Sequence, residues 1–313
     1  MCKVIKRTLK VILAFTAVCL LMLNVTSCSF VENKYIEKNY SIDVDFNDIL
    51  IEASISNVSL ELSEDQWCRV ICSENADFKY SVTVSENKLK ILEIDNRSWI
   101  KKLFTKQNRF ITVYLPKSEY SSLEINAGVG NIKLPSDFAF NDIDVSLSVG
   151  DLVCNSSAAE RVQIDSSTGN VIFENATFKH LTISLSTGNV SINDVNCAGD
   201  LSIDISTGRT QLNNVNCNNL YSTGSTGKIN MKQVIAQNKI NVERSTGDIS
   251  FECCDAAELF VQTSTGDIEG SLNSPKVFVY STSTGKVSLP KTTTGGKCEL
   301  NTSTGDIAIT INE

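Results

Sequence analysis

The stretch L-T-I-S-L-S-T-G-N-V-S-I, residues 181–192, decides the fold. Leu181, Ile183 and Leu185 alternate with Thr182 and Ser184, and after Gly188 the alternation resumes at Val190 and Ile192. A period of two marks strands with one buried face, and Ser-Thr-Gly between two such runs marks a corner. The phrase recurs every 19 or 20 residues, ending at Gly169, Gly188, Gly208, Gly227, Gly247, Gly266, Gly285 and Gly305. Two earlier variants, Gly128-Val129-Gly130 and Ser148-Val149-Gly150, keep the same phase. A strict period of this size means that each copy is one rung of a stack.

The chain therefore reads as all-β. Residues 123–313 form a parallel β-helix, or β-solenoid, of about ten rungs of 19–20 residues each. An irregular strand-rich segment, residues 41–122, precedes it and serves as a cap. Within that segment Ile51–Leu62 alternates, and Tyr80–Leu92 reads as a hairpin turning at Glu86-Asn87. Arg109–Leu115 is a further strand, closed by Pro116. The Arg97–Asn108 stretch mixes Trp99, Ile100 and Phe104 with Lys101 and Lys102, and it reads as a packed insertion more readily than as a basic contact loop. One rung departs from the pattern: before Gly227 the apolar positions hold Ser222 and Gly224, which predicts a thin or bulged rung and the weak point of the stack.

The repeated hydroxyls invite a ligand reading, but Val129 and Val149 stand where later rungs have Thr. The position thus selects β-branched shape, as an inward ladder would. The Ser column is expected to hydrogen-bond turn amides, and the glycine to supply the corner angle. The position after the glycine holds Asn131, Asp151, Asn170, Asn189, Arg209, Lys228, Asp248, Asp267, Lys286 and Asp306. A calcium repeat needs carboxylates in nearly every rung, so mixed signs read as a solvated corner with no metal.

The first residues read as an export signal. Lys3, Lys6, Arg7 and Lys10 precede an uncharged apolar run, Val11–Leu23, too short to favour a membrane-spanning helix of ~20 residues. Val25-Thr26-Ser27-Cys28 looks like a bacterial lipobox. Residues 1–27 are then a lipoprotein signal peptide, Cys28 the lipidated residue, and 28–40 a tether. The expected location is extracytoplasmic, held to the cell membrane or outer membrane by a diacylglyceryl cysteine. Loss of residues 1–27 removes four basic and no acidic residues, leaving 24 basic against 36 acidic. Such an acidic body argues against nucleic acid as a partner.

Site chemistry is sparse. Apart from Cys28, the cysteines of the mature chain read mostly as small core residues, Cys154 and Cys298 among them, and they show no zinc spacing. Cys197 and Cys217 share a column in adjacent rungs, within disulfide reach. His180, the one histidine, falls in a turn with no nucleophile motif around it. Polysaccharide-cleaving β-helices break their repeat with insertions that build a cleft, and these rungs carry none longer than a residue. The expectation is no catalytic residue, no cofactor and no enzyme.

Together these pieces resemble one bacterial family. A lipobox, an irregular strand-rich segment ending in Leu115-Pro116, the Leu-x-Ile-x-x-G-x-G-[DN]-[IV] step at Leu123–Ile132, and the S-T-G-[DN]-[IV] rungs are similar to the adhesin family built on domain of unknown function 4097. The resemblance covers residues 41–313 and implies a solenoid with an adhesive or envelope role, without catalytic residues to carry over. The leading expectation is a non-catalytic surface lipoprotein presenting a rigid solenoid to an unknown protein or glycan. The alternative is a structural or envelope-stress component that binds a membrane regulator or its own copies, through a C-terminal rung, Ile307–Ile311, that lacks an obvious cap.

Overall fold

The computed structural model describes residues 35–96 and 109–312. Ile36–Glu313 forms one compact unit. The expected signal peptide, Cys28, most of the tether and the Arg97–Asn108 insertion lie outside the described residues. Every described element is a strand or a single bridge.

Seven strands open the unit: β1 (Ile36–Ile42), β2 (Asp48–Ile55), β3 (Asn57–Leu62), β4 (Cys68–Glu74), β5 (Phe78–Ser85), β6 (Lys88–Asp95) and β7 (Phe110–Leu115). β5 and β6 are the expected hairpin, with Glu86 and Asn87 both at positive φ, the pairing of angles that a two-residue hairpin turn requires. The regular rungs follow as β8 (Glu119–Val129), β9 (Ile132–Leu134), β10 (Ala139–Val149), β11 (Leu152–Cys154), β12 (Ser157–Thr168), β13 (Val171–Glu174) and β14 (Thr177–Thr187). Three long bent strands come next: β15 (Val190–Thr207), β16 (Thr210–Thr226) and β17 (Ile229–Thr246). The chain closes with β18 (Ile249–Cys254), β19 (Glu258–Thr265), β20 (Ile268–Leu272), β21 (Lys276–Thr284), β22 (Val287–Ser288), β23 (Gly296–Thr304) and β24 (Ile307–Ile311).

Equivalent residues of successive rungs pair in parallel and in register. Leu181, Ile183 and Leu185 of β14 face Leu201, Ile203 and Ile205 of β15. These columns are buried almost completely, so each rung covers the apolar face of the one beneath. Every regular rung has three pairing segments: in β15 and β16 they begin at Val190/Thr210, Val195/Val215 and Asp200/Asn219. In five rungs the corner between the first two is turned by a non-glycine residue at positive φ: Asn175, Asp194, Asn214, Gln233 and Cys253. The alternation predicts two main strands per rung with a short third segment and turns between, and the structure places the second of those turns here. Its trace in the sequence is an Asn or Asp six residues after the glycine in three of the rungs.

The solenoid also starts earlier than residue 123. β2 pairs in parallel with β8, and Ala53 and Ile55 face Ala127 and Val129. β6 and β7 pair in parallel with β2 and β3 on the far side. Two further rungs therefore lie within the segment expected to be an irregular cap. The first was masked because Ser56 stands at the glycine position, and the second because its two strands flank residues 97–108. The antiparallel cap is smaller: β5 closes against β6, β4 against β7, and β1 against β4.

At neither end does the stack follow chain order. The rung β2–β3 lies between β6–β7 and β8–β9. At the other end β23 lies between β19 and β21, and β24 between β20 and β22. The chain thus leaves one position vacant, builds the outer rung β21–β22, and returns to fill the gap. A buried polar anchor stands at the crossing. Lys276 Nζ donates to Asp255 Oδ1 at 2.6 Å and to Ser274 Oγ at 2.5 Å, and Ser274 Oγ donates to the same carboxylate oxygen at 2.9 Å. The C-terminal rung is consequently covered on both faces, and at this end the edge left unpaired among the described strands belongs to β21–β22.

Candidate binding face

The glycine corners lie directly over one another. Gly150 N donates to Thr168 O at 2.9 Å and Gly169 N to Thr187 O at 3.0 Å, and the pattern repeats along the stack. Their φ values, such as 144° at Gly188 and 147° at Gly208, suit glycine, and a Cβ at Gly208 would collide with the carbonyl oxygen of Gly188. Gly130, Gly150, Gly169, Gly188, Gly208, Gly227, Gly247 and Gly266 form one continuous column, to which Gly305 and then Gly285 add in that spatial order.

Two expectations for the corner need correction. The β-branched column does not point inward: Val129 is 45% and Val149 46% exposed, and Thr187 and Thr207 are likewise exposed. The last inward residue is the one before the Ser, as at Leu185 and Ile205. The Ser then drops out of the ladder, Leu147 pairing Ala127 and Val149 pairing Val129 around an unpaired Ser148. The turn into the glycine thereby puts two successive side chains, Ser and Thr, on the solvent side.

The residue after the glycine is more than a solvated corner. Its side-chain oxygen caps the backbone N–H of the equivalent residue in the next rung. Asn57 Oδ1 accepts from Asn131 N at 2.8 Å, Asn131 Oδ1 from Asp151 N at 2.9 Å, and Asp151 Oδ1 from Asn170 N at 2.8 Å. At the far end Asp248 Oδ1 serves Asp267 N, Asp267 Oδ1 serves Asp306 N, and Asp306 Oδ1 serves Lys286 N. Asn and Asp suit this column because they carry a short acceptor. Lys228, which carries none, instead sends Nζ to Asp248 Oδ2 at 2.6 Å.

The rung expected to be thin or bulged shifts register between Cys217 and Asn219, as its neighbours do at the same corner. From Asn219 to Gly224, however, it keeps register, with Ser222 facing Val242 and Gly224 facing Arg244. The missing apolar volume is filled by Arg244, which enters the core. Its Nη2 donates to Ser222 Oγ at 2.9 Å and Thr210 Oγ1 at 3.3 Å, and its Nη1 to Ser222 O at 3.0 Å. Burial pushes the Arg244 guanidinium down to about 10, opposed by the charge of Asp204.

Across the outward side of the corner strands runs a shallow groove of about 860 Å³ that spans several rungs. Glu52, Glu93, Asp165 and Asp204 supply carboxylates, and Ser146, Ser184 and Ser206 supply hydroxyls. Asp165 and Asp204 occupy one column with Ser184 between them, and both are exposed. Glu93 Oε2 accepts from Ser54 N at 2.6 Å, which closes the groove at its N-terminal end. Nearby, burial raises the Asp144 carboxyl above its usual range, opposed by Arg161, whose Nη2 lies 3.7 Å away. Such a surface offers donors and acceptors in register along the rungs. It does not enclose a reacting group or exclude water.

The remaining candidates are dispersed. Cys197 faces Cys217 in register, as the column spacing predicts, and both are free thiols. Cys154, Cys254 and Cys298 are buried in the core. His180 is exposed and accepts from Asp200 N at 3.2 Å. Among the described residues no group of three or more His, Cys, Asp or Glu is placed to hold a metal ion.

The family model of the Toastrack domain, DUF4097, matches residues 46–209 and 198–313. The chain belongs to the Toastrack family. That match begins at Phe46, in agreement with the early start of the solenoid seen in β2 and β3. Curated proteins give no match. Among solved structures, a "putative adhesin" from Parabacteroides merdae shares 12% identity at a TM-score of 0.48, over 89% of this chain and 97% of that one. Another so named, from Parabacteroides distasonis, shares 13% identity at 0.46, over 88% and 98%. A third, from Bacteroides fragilis, shares 16% at 0.38, over 89% and 98%. Similarity this distant says nothing of what the Toastrack chain described above binds.

Proposed function

We propose that this chain is a non-catalytic cell-envelope lipoprotein, anchored through Cys28, that presents its solenoid for adhesion to a hydroxyl-rich polymer, a glycan of the envelope or its surroundings. The observation that carries the reading is the groove lined by Glu52, Asp165, Asp204 and the intervening serines. Carboxylates and hydroxyls repeated at the rung spacing of ~4.8 Å offer an extended ligand many weak, aligned hydrogen bonds. Tyr221 and Phe260 stand further along the same outward face and supply aromatic surface. The exposed setting of the carboxylates favours binding over bond cleavage, which needs a desolvated acid.

The test is retention of purified envelope polysaccharide by the immobilised protein. Saturable retention that falls at least about fivefold in an Asp165→Ala/Asp204→Ala variant supports the reading. Absence of saturable retention, or polymer shortened during incubation, overturns it.

A further inference from the structure

We infer that the open end of the stack, strands β21 and β22, is a docking site for an extended acidic strand of another protein, which adds to the solenoid as one more rung. This goes beyond the polymer-binding reading and uses a different surface.

Three observations converge there. First, β21 pairs only with β23 and β22 only with β24, so one backbone edge of each is unpaired among the described strands. Second, the inward column is left uncovered at this end. Phe278 and Tyr280 continue the column of Cys298 and Leu300, and Val287 continues that of Ile307, yet Tyr280 is 54% exposed where Leu300 is buried. An added strand with apolar residues at alternate positions would cover Phe278 and Tyr280 as each rung covers the next.

Third, the exposed charge at this end is opposite in sign to that of the chain as a whole. Lys286 and Lys291 are exposed with no Asp or Glu between Pro275 and Lys297, in a chain of formal charge −8, whereas Lys276 is paired with Asp255 and Lys297 with Glu299. Lys286 occupies the corner column, where its N–H is capped by Asp306 and its ammonium group is exposed. The fold already shows what a lysine in this column takes from the rung beyond: Lys228 binds the carboxylate of Asp248. Lys286 is placed to do the same for an incoming carboxylate. A second copy docked end to end would instead bring Lys286 and Lys291 against their own equivalents, and like charges disfavour it.

The probe is a fluorescent synthetic peptide of residues 258–272, whose Leu259, Val261 and Asp267 match the columns of Phe278, Tyr280 and Lys286. It is titrated into the full chain and followed by anisotropy. Saturable binding is expected, weakened about fivefold by Lys286→Glu and by added salt. The same peptide carrying Asp267→Lys should bind the wild type more weakly and regain affinity for the Lys286→Glu variant. Tyr280→Asp, at an exposed side chain, should abolish binding with an unchanged circular dichroism spectrum. Four results overturn the proposal: no saturable binding; binding indifferent to both variants; sedimentation of the chain as a dimer that Tyr280→Asp dissociates; or tighter capture by phosphatidylglycerol vesicles through the same residues. Polysaccharide retention by the groove is read separately in the same variants, so failure of one site leaves the other intact.

Discussion

Asp267 Oδ1 accepts the backbone N–H of Asp306 at 2.7 Å, although the next glycine corner along the chain is at Gly285. This bond marks the point where the stack departs from chain order, since Asp306 in turn serves Lys286. Removing residues 296–313 should leave β21 without its neighbour. Hydrogen exchange is then expected to show β21 amides losing protection, with β12–β16 unchanged. Retained protection in β21 would contradict the assigned order.

Gly208 is the most demanding position of the corner column. A methyl group there meets the Gly188 carbonyl oxygen, and its φ of 147° strains any other residue. Gly208→Ala should lower stability by about 3 kcal/mol or more, whereas Ser186→Ala, at an exposed side chain, should stay within about 0.5 kcal/mol. Urea denaturation of both variants measures the contrast.

Arg244 stands in for two missing apolar side chains. Arg244→Ala leaves a cavity and deprives Ser222 and Thr210 of their donor, so a loss of about 2–4 kcal/mol is expected. Arg244→Val combined with Ser222→Val restores an apolar column and should recover most of it. Equal destabilisation by both variants would show that the guanidinium is not what fills this rung.

The Lys228 hydrogen bond, together with the N–H of Asp267, holds the Asp248 carboxyl below its usual range. A depressed folded value means that the contribution is complete above the unfolded carboxylate pKa and is lost as the pH falls through the folded one. Asp248→Asn should therefore be less stable than wild type at neutral pH, and the difference should close below about pH 4. Urea midpoints at both pH values test this.

Burial raises the thiols, Cys154 and Cys298 each to about 12, which keeps them protonated and unreactive. Cys253 is the one described cysteine that is not buried. Brief maleimide labelling of the native protein, read by mass spectrometry, should modify Cys253 first and reach the others only on unfolding.

The architecture was legible because glycine contacts glycine. A residue demanded by its own kind one rung away recurs at the rung spacing, and alternation around it marks the buried columns. Where another residue took the position, as at Ser56, the rung became invisible. The direction of the Thr column was misread because Val and Thr share a shape that suits a strand end facing either way. Rung order at the ends was illegible for a different reason: Ser-Thr-Gly at Gly285 and Gly305 is the same phrase, and a repeat carries no label saying which copy lies outermost. The groove was equally hidden, since its carboxylates sit at irregular intervals in outward columns that only register brings together.

The interleaved ends also bear on how the molecule meets mechanical load. A helix of strands wound in simple order peels from its tail, one ladder at a time. Here a pull on the tail must slide β23 and β24 out from between two neighbours, and tension reaching β2 through the leading end meets the same resistance. The rungs β2–β3 and β23–β24 are each clasped between two neighbours, so force that reaches them is borne in shear by paired ladders rather than at a single unzipping front.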